Sequence, residues 1–170
     1  YAEAREREQQ YRSVVEQVNE VIFQTDMTGV WTFLNPAWQA MTGYGVQKSL
    51  GATILDVTHP DDRLPLKTLT DDILAQRQDT GLKEFRCLTL DAQTRWLAMH
   101  ARLKRDATGM PVGLFGTLTD ITERKYLEEK RLMFNKLEAL GPLAGSVAHA
   151  FNNSLMVVMG NIALARLLLK

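Results

Sequence analysis

Apolar and polar positions follow two rhythms along this chain, one in the middle and another toward the ends. Over residues 20–119 the apolar residues come in short alternating runs broken by Gly, Pro, Asp and Asn, the pattern of half-buried strands joined by turns. Val21–Asp26 is β-branched and aromatic, Met27-Thr28-Gly29 supplies a turn, and Val30–Leu34 follows, which predicts a hairpin. Asn35-Pro36 fits a helix start, with Asn as cap and Pro at the first helical position, and short helical pieces are expected through Gly51. Thr58-His59-Pro60-Asp61-Asp62 marks another helix start, with acids where the helix dipole favours them; that helix is expected to reach about Arg77. Lys83–Leu90, Arg95–Leu103 and Val112–Thr119 predict three more strands. The series makes an α+β domain, a five-stranded antiparallel sheet with flanking helices. Leu97, Met99, Ala101 and Leu103 share one strand face and are expected to meet the core or a ligand pocket. Trp96, Ala98, His100 and Arg102 share the other face. Trp96 there implies that this side is also partly covered, by an N-terminal amphipathic helix or a dimer partner.

Both ends read as helix. Residues 1–19 are rich in Glu, Arg and Gln and predict an amphipathic helix. From Leu127 onward, Phe134, Leu137, Leu140, Ala144, Val147, Phe151, Leu155, Val158, Ile162, Ala165 and Leu169 recur at coiled-coil intervals. Two successive steps of four at Val147–Phe151–Leu155 form a stutter that relaxes the supercoil. Gly141-Pro142 is expected to interrupt the helix, because proline removes a backbone donor and crowds the preceding turn. The predicted organisation is an N-terminal helix at 1–19, a sheet domain at 20–120, a coiled-coil linker at 121–141 and a further helical block at 142–170. The apolar seam predicts a parallel homodimer, since a lone helix would expose it as a large patch. Asp120 is placed to cap the linker helix by accepting from the backbone N–H of residue 122 or 123.

Composition narrows the chemistry. The 20 basic and 20 acidic residues cancel, which argues against a nucleic-acid binder working by bulk charge and against a polybasic membrane anchor. The single cysteine, Cys87, excludes an intramolecular disulfide and a cysteine-rich zinc site, and reads as a small strand hydrophobe. No metal site is expected. No apolar run is long enough to span a membrane, and Tyr1–Tyr11 has no signal-peptide character, so a cytoplasmic protein or a cytoplasmic piece of a larger one is expected. His149 lies two residues past Val147, roughly 200° around the helix, and so faces away from the seam.

Several segments together resemble a PAS domain: Phe23-Gln24-Thr25-Asp26 with Gly29, Phe33-Leu34-Asn35-Pro36-Ala37, Met41-Thr42-Gly43-Tyr44, His59-Pro60-Asp61-Asp62-Arg63, and the run Gly116 to Arg124. The resemblance implies a sensor fold with a central cavity. Leu137-Glu138-Ala139-Leu140-Gly141 and the run Leu143 to Asn153 resemble the phosphoacceptor box of sensor histidine kinases, continued by Gly160-Asn161 and Ala163-Leu164-Ala165-Arg166. That resemblance makes 142–170 the first helix of a histidine-phosphotransfer domain and His149 its phosphoacceptor. Asn153, one turn on, then orients a water that removes phosphate from a partner regulator. Asp120, Thr122 and Trp96 become the relay between sensor sheet and output helix. The implied partners are a second copy of the chain, a response-regulator receiver domain whose aspartate takes the phosphate, and a small-molecule ligand of the cavity. ATP and Mg²⁺ enter only through an ATP-binding domain that this chain does not contain, so it is expected to be inactive alone.

Two departures stand out. Ala150 occupies the place where the family usually has Asp or Glu directly after the histidine, so a general base is missing there. Pro142 stands where a helix-compatible residue is common. The ligand is not identified by the sequence: Cys87 lies in a strand rather than on a helix beside Asn and Arg, as a flavin photoreceptor would have it, and haem would have only His59 or His100 as axial candidates outside the box. Two other readings stay open. One is a dimeric PAS ligand-sensing or interaction module with a catalytically silent histidine. The other is a regulator of a cyclic-nucleotide output enzyme, which accounts for 1–136 but not for the box around His149. Whether membrane segments precede Tyr1 in a longer parent is also open.

Overall fold

The structure, a computed structural model, describes the backbone of residues 19–168 and the side chains of residues 19–138, 152–157 and 159. The expected N-terminal helix therefore lies, apart from Asn19, outside the described residues.

Strands β1 (Val21–Thr25) and β2 (Trp31–Leu34) form the expected antiparallel hairpin. Its turn is built by Asp26, whose carboxylate accepts from the Thr28 N–H at 2.8 Å, the Thr28 hydroxyl at 2.7 Å and the Val30 N–H at 3.1 Å. Gly29 follows in the left-handed region at φ 81°. The same device recurs between β4 (Thr94–Arg105) and β5 (Pro111–Asp120). There Asp106 accepts from the Thr108 N–H and hydroxyl and the Met110 N–H, ahead of Gly109 at φ 86°. Both turns read Asp-X-Thr-Gly, because one short carboxylate can satisfy two backbone donors only if the chain reverses at once.

Asn35 does not cap the next helix. Its carbonyl oxygen Oδ1 accepts from the Ile22 N–H at 3.0 Å, its amide donates to the Glu20 carbonyl at 3.0 Å, and its own N–H donates to the Ile22 carbonyl at 3.1 Å. It extends the pairing of β2 with β1 by one residue, and that exceeds the single bond a helix cap offers. Helix α1 (Ala37–Thr42) starts after Pro36 without a side-chain cap, and α2 (Val46–Ser49) and a 3₁₀ turn (Ile54–Val57) follow. Helix α3 (Pro60–Leu74) begins as expected: His59 is its cap, its Nδ1 accepting from the Asp61 N–H at 3.3 Å, with Pro60 leading. It ends before Arg77 because Gln76 adopts a left-handed φ of 59°.

Strand β3 (Thr80–Leu88) completes a sheet of order β2-β1-β5-β4-β3, antiparallel throughout. The first and last strands of the domain are thus neighbours. Strand parity holds: Leu97, Met99 and Ala101 are buried, Leu103 is half-buried, Trp96 is half-buried and His100 is exposed. Helix α3 packs on β3, β4 and β5. Its Leu66 and Ile73 are buried with Phe85, Leu97, Leu114 and Leu118 of the sheet. Trp38 of α1 is wholly buried. Its indole donates to Ser49 Oγ at 2.8 Å, and it meets Trp31 edge-on at 4.7 Å between ring centroids.

The chain divides after Glu123. Helix α4 (Thr122–Leu168) is helical through Gly141-Pro142, where an interruption was expected. Proline there removes only one bond, to the Glu138 carbonyl, a local cost of roughly 3 kcal/mol, and the Leu, Glu and Ala around it favour helix. Among its described side chains, Leu127, Phe134, Leu137 and Leu155 of the seam are exposed, as are Met133, Met156, Val157 and Met159. Among the described residues no helix is long and apolar enough to cross a membrane.

Candidate functional site

Three residues predicted to relay a signal meet where β5 ends and α4 begins, Asp120 and Thr122 through their side chains and Trp96 through its backbone. Asp120 Oδ1 accepts from the Thr122 N–H at 2.9 Å and from the Thr122 hydroxyl at 2.5 Å. The Thr122 hydroxyl oxygen in turn accepts from the Trp96 N–H at 3.0 Å, and the Ile121 N–H donates to the Trp96 carbonyl at 2.8 Å. The pairing of β4 with β5 thus continues past the last residue of β5 into the first helical one.

The sequence reading missed the arginines that frame this junction. Arg95 Nη1 donates to Asp120 Oδ2 at 2.7 Å. Arg86 of β3 stands opposite Trp96 in the β3–β4 register, its guanidinium 5.7 Å from the ring centroid. It also forks onto Asp62 in the first turn of α3, with Nε at 2.9 Å and Nη2 at 2.8 Å, while its backbone N–H reaches the same carboxylate at 2.7 Å. The hydrogen bonds and charge of Arg86 hold the Asp62 carboxyl below the usual carboxylate range. One line of contacts therefore runs from the start of α3 through β3 and β4 to Thr122. The strand period could have put Arg86 and Trp96 on the same sheet face, but only the true register pairs them.

Partial burial pushes the Asp120 carboxyl upward. The Thr122 hydroxyl and N–H and the Arg95 guanidinium outweigh it and hold the group below the usual carboxylate range. A carboxyl depressed in the folded state stabilises fully above its unfolded value of about 3.9, and that stability is lost as pH falls through the lower folded value. Asp120→Asn is therefore expected to cost on the order of 1 kcal/mol at pH 7. The gap to the parent should close as pH drops below about 4. Urea unfolding at pH 7, 5 and 3 measures it; a gap that is flat with pH would contradict the assignment.

The other predicted positions lie elsewhere. His149 and Ala150 sit in the helical backbone of α4, and their side chains are outside the described set. Asn153 is exposed on the same helix. His59 caps α3, His100 is exposed on the outer sheet face, and burial pushes the Cys87 thiol up to about 12.

Inside the sheet domain, between α3 and the inner face, is a cavity of about 80 Å³. Phe23, Trp31, Met99, Leu114 and Leu118 form its buried wall, and Thr28, Thr53, Lys67 and Asp71 reach the surface at its mouth. Met99 comes from the strand face expected to meet core or pocket.

Comparison with known proteins bears on the fold. Sporulation kinase C of Bacillus subtilis (strain 168) is 29% identical over 158 residues, covering 86% of this chain and 36% of its own length. Sporulation kinase A of the same organism is 27% identical over 146 residues, covering 81% and 23%. The chain thus spans about a third or less of these curated relatives. A sensory box histidine kinase/response regulator from Burkholderia thailandensis E264 superposes with a TM-score of 0.59 at 26% identity, covering 76% of this chain and 98% of that one. The sequence model of the PAS fold matches residues 9–121, and with the five-stranded sheet in place the chain belongs to the PAS family.

Proposed function

We infer that this chain is the sensor and phosphoacceptor region of a two-component histidine kinase. The observation that supports it most is the helix that begins at the Asp120–Thr122 junction and continues unbroken through the box around His149. Relatives named as kinases over most of the chain's length agree with the reading. In it, residues 20–120 perceive a signal, 121–141 transmit it and 142–170 carry the acceptor. A neutral imidazole nitrogen of His149 attacks the γ-phosphorus of ATP, the bond to the ADP oxygen breaks, and a phosphoimidazole forms. The ATP-binding domain, with its Mg²⁺, belongs to a part of the parent outside this chain. The phosphoryl group then passes to an aspartate of a receiver domain, and Asn153 positions the water that later hydrolyses it.

The test is phosphate incorporation from labelled ATP in a parent carrying the ATP-binding domain. His149→Ala is expected to remove the acid-labile, base-stable label altogether. Full labelling of that variant would sink the reading in favour of a dimeric PAS module with a silent histidine, an alternative that Ala150 specifically favours.

The same reading makes the chain a parallel homodimer through the exposed seam of α4. Light scattering at tens of micromolar is expected to give a dimer, and Leu155→Asp to shift it toward monomer, because a charge in the seam loses its water. A monomeric parent chain at that concentration would reject the pairing.

A further inference from the structure

We propose that Arg86 is the positioning residue that couples the first turn of α3 to the first residue of α4, acting through the Trp96 ring that it covers. The proposal rests on residues 20–120 being a sensor, and it names the residue through which α3 reaches the output helix.

Strand pairing makes these two residues a bridge. Arg86 and Trp96 are direct partners in the β3–β4 register, yet the N–H of each is bonded on the side away from the other. The Arg86 N–H donates to Asp62 Oδ2 at 2.7 Å, and its carbonyl accepts from the His59 N–H at 2.8 Å, so both backbone groups hold the start of α3. The Trp96 N–H donates to the Thr122 hydroxyl oxygen at 3.0 Å, and its carbonyl accepts from the Ile121 N–H at 2.8 Å, so both hold the start of α4. An antiparallel pair bonded outward in this way brings its side chains closest together. Across it the Arg86 guanidinium lies 5.7 Å from the Trp96 ring centroid.

Asp62 fixes that guanidinium. Its Oδ2 takes the Arg86 Nε at 2.9 Å beside the backbone N–H, and its Oδ1 takes Nη2 at 2.8 Å. A fork of this kind sets the plane of the group as well as its position. The two side chains are only 29% and 19% exposed, so water screens them less than it does a surface pair. Asp61 is the contrast, 71% exposed and 3.4 Å from Nη2. A shift of the first turn of α3 therefore turns the guanidinium plane against the indole, and Trp96 passes the displacement to its two bonds at Ile121 and Thr122.

The experiment follows amide hydrogen exchange in the full 170-residue chain by NMR. Trp96 and Ile121 report the α4 side and His59 the α3 side. Asn35, whose N–H donates to the Ile22 carbonyl, reports the far side of the sheet. Asp62→Asn is expected to speed exchange at Trp96 and Ile121 by about 10-fold while Asn35 changes by less than about 2-fold. Arg86→Lys should do the same, because an ammonium has no plane to fork or stack. Asp61→Asn should leave Trp96 within about 2-fold of the parent. Thr122→Val, which removes the acceptor of the Trp96 N–H, should in return speed His59 by about 10-fold, since coupling is reciprocal. In an Arg86→Met background, Asp62→Asn should add nothing at Trp96. A merely structural bridge would speed Asn35 as much as Trp96, and that result overturns the proposal. So does an Asp62→Asn effect confined to His59, or one that persists undiminished in the Arg86→Met background. If Asp62→Asn fails to fold, Arg86→Lys makes the same test, and unchanged Trp96 exchange in that folded variant counts against the coupling. Unchanged Trp96 exchange with intact His149 labelling in the parent defeats the role of Arg86 alone, whereas an unlabelled His149 with the exchange pattern intact defeats only the kinase reading.

Discussion

Ala150→Glu, in a parent carrying the second phosphotransfer helix and the ATP-binding domain, is expected to raise the initial rate of His149 phosphorylation by about 10²-fold. Attack on phosphorus needs one imidazole nitrogen with a free lone pair and the other holding its proton. A carboxylate beside the ring fixes that tautomer and stabilises the cation that forms as the bond to phosphorus closes. With Ala150 the ring has no such neighbour in sequence. Labelled-ATP time courses on Ala150→Glu, Ala150→Gln and His149→Ala separate the outcomes. A gain with Glu but not Gln assigns the effect to the charge. An unchanged Glu rate, with labelling still lost in His149→Ala, means that another residue already supplies the base.

The largest stability effect should come from Trp38. Its side chain is wholly buried, its indole N–H donates to Ser49, and its ring lies edge-on to Trp31 and stacked with Tyr44 at 6.5 Å. Trp38→Ala is expected to cost about 3–5 kcal/mol, because the surrounding rings cannot collapse onto the space left. Trp38→Phe keeps most of the packing and should cost about 1–2 kcal/mol, largely the hydroxyl of Ser49 left without its donor. Urea unfolding followed by circular dichroism gives both values. A Trp38→Ala cost below about 1 kcal/mol would mean that the Trp31–Trp38–Tyr44 cluster is not the anchor of α1.

These two positions differ in how they could be found. The proposed box around His149 can be read from sequence because its residues are consecutive and resemble a family pattern. Trp38, one of three tryptophans, gave no sign of being the most enclosed. Its partners come from β2, from the loop after α1 and from α2, and nothing in the local spacing brings those together. The Asp120–Thr122 contact was readable because donor and acceptor are two residues apart. The bond from Trp96 to Thr122 spans 26 positions and that from Arg86 to Asp62 spans 24, beyond any helix or strand period. Register decided both. The β3–β4 hairpin closes through Thr89, whose hydroxyl engages Asp91 and Gln93, so β3 stops at Leu88 rather than at Leu90. A small error in that turn would pair Arg86 with a different residue.

What the sequence determined by itself is local. Alternating apolar runs marked the strands, Met27-Thr28-Gly29 marked a turn, and His59-Pro60 marked the start of α3, because each rests on bonds between residues a few positions apart. The tertiary structure alone decided that β1 lies beside β5, that Asn35 serves a strand instead of a helix, and that Arg95 and Arg86 frame the junction. Those outcomes depend on which strands pair and in what register. Pairing is settled by the summed burial of the sheet's inner face against α3, a quantity that no short stretch of the chain contains.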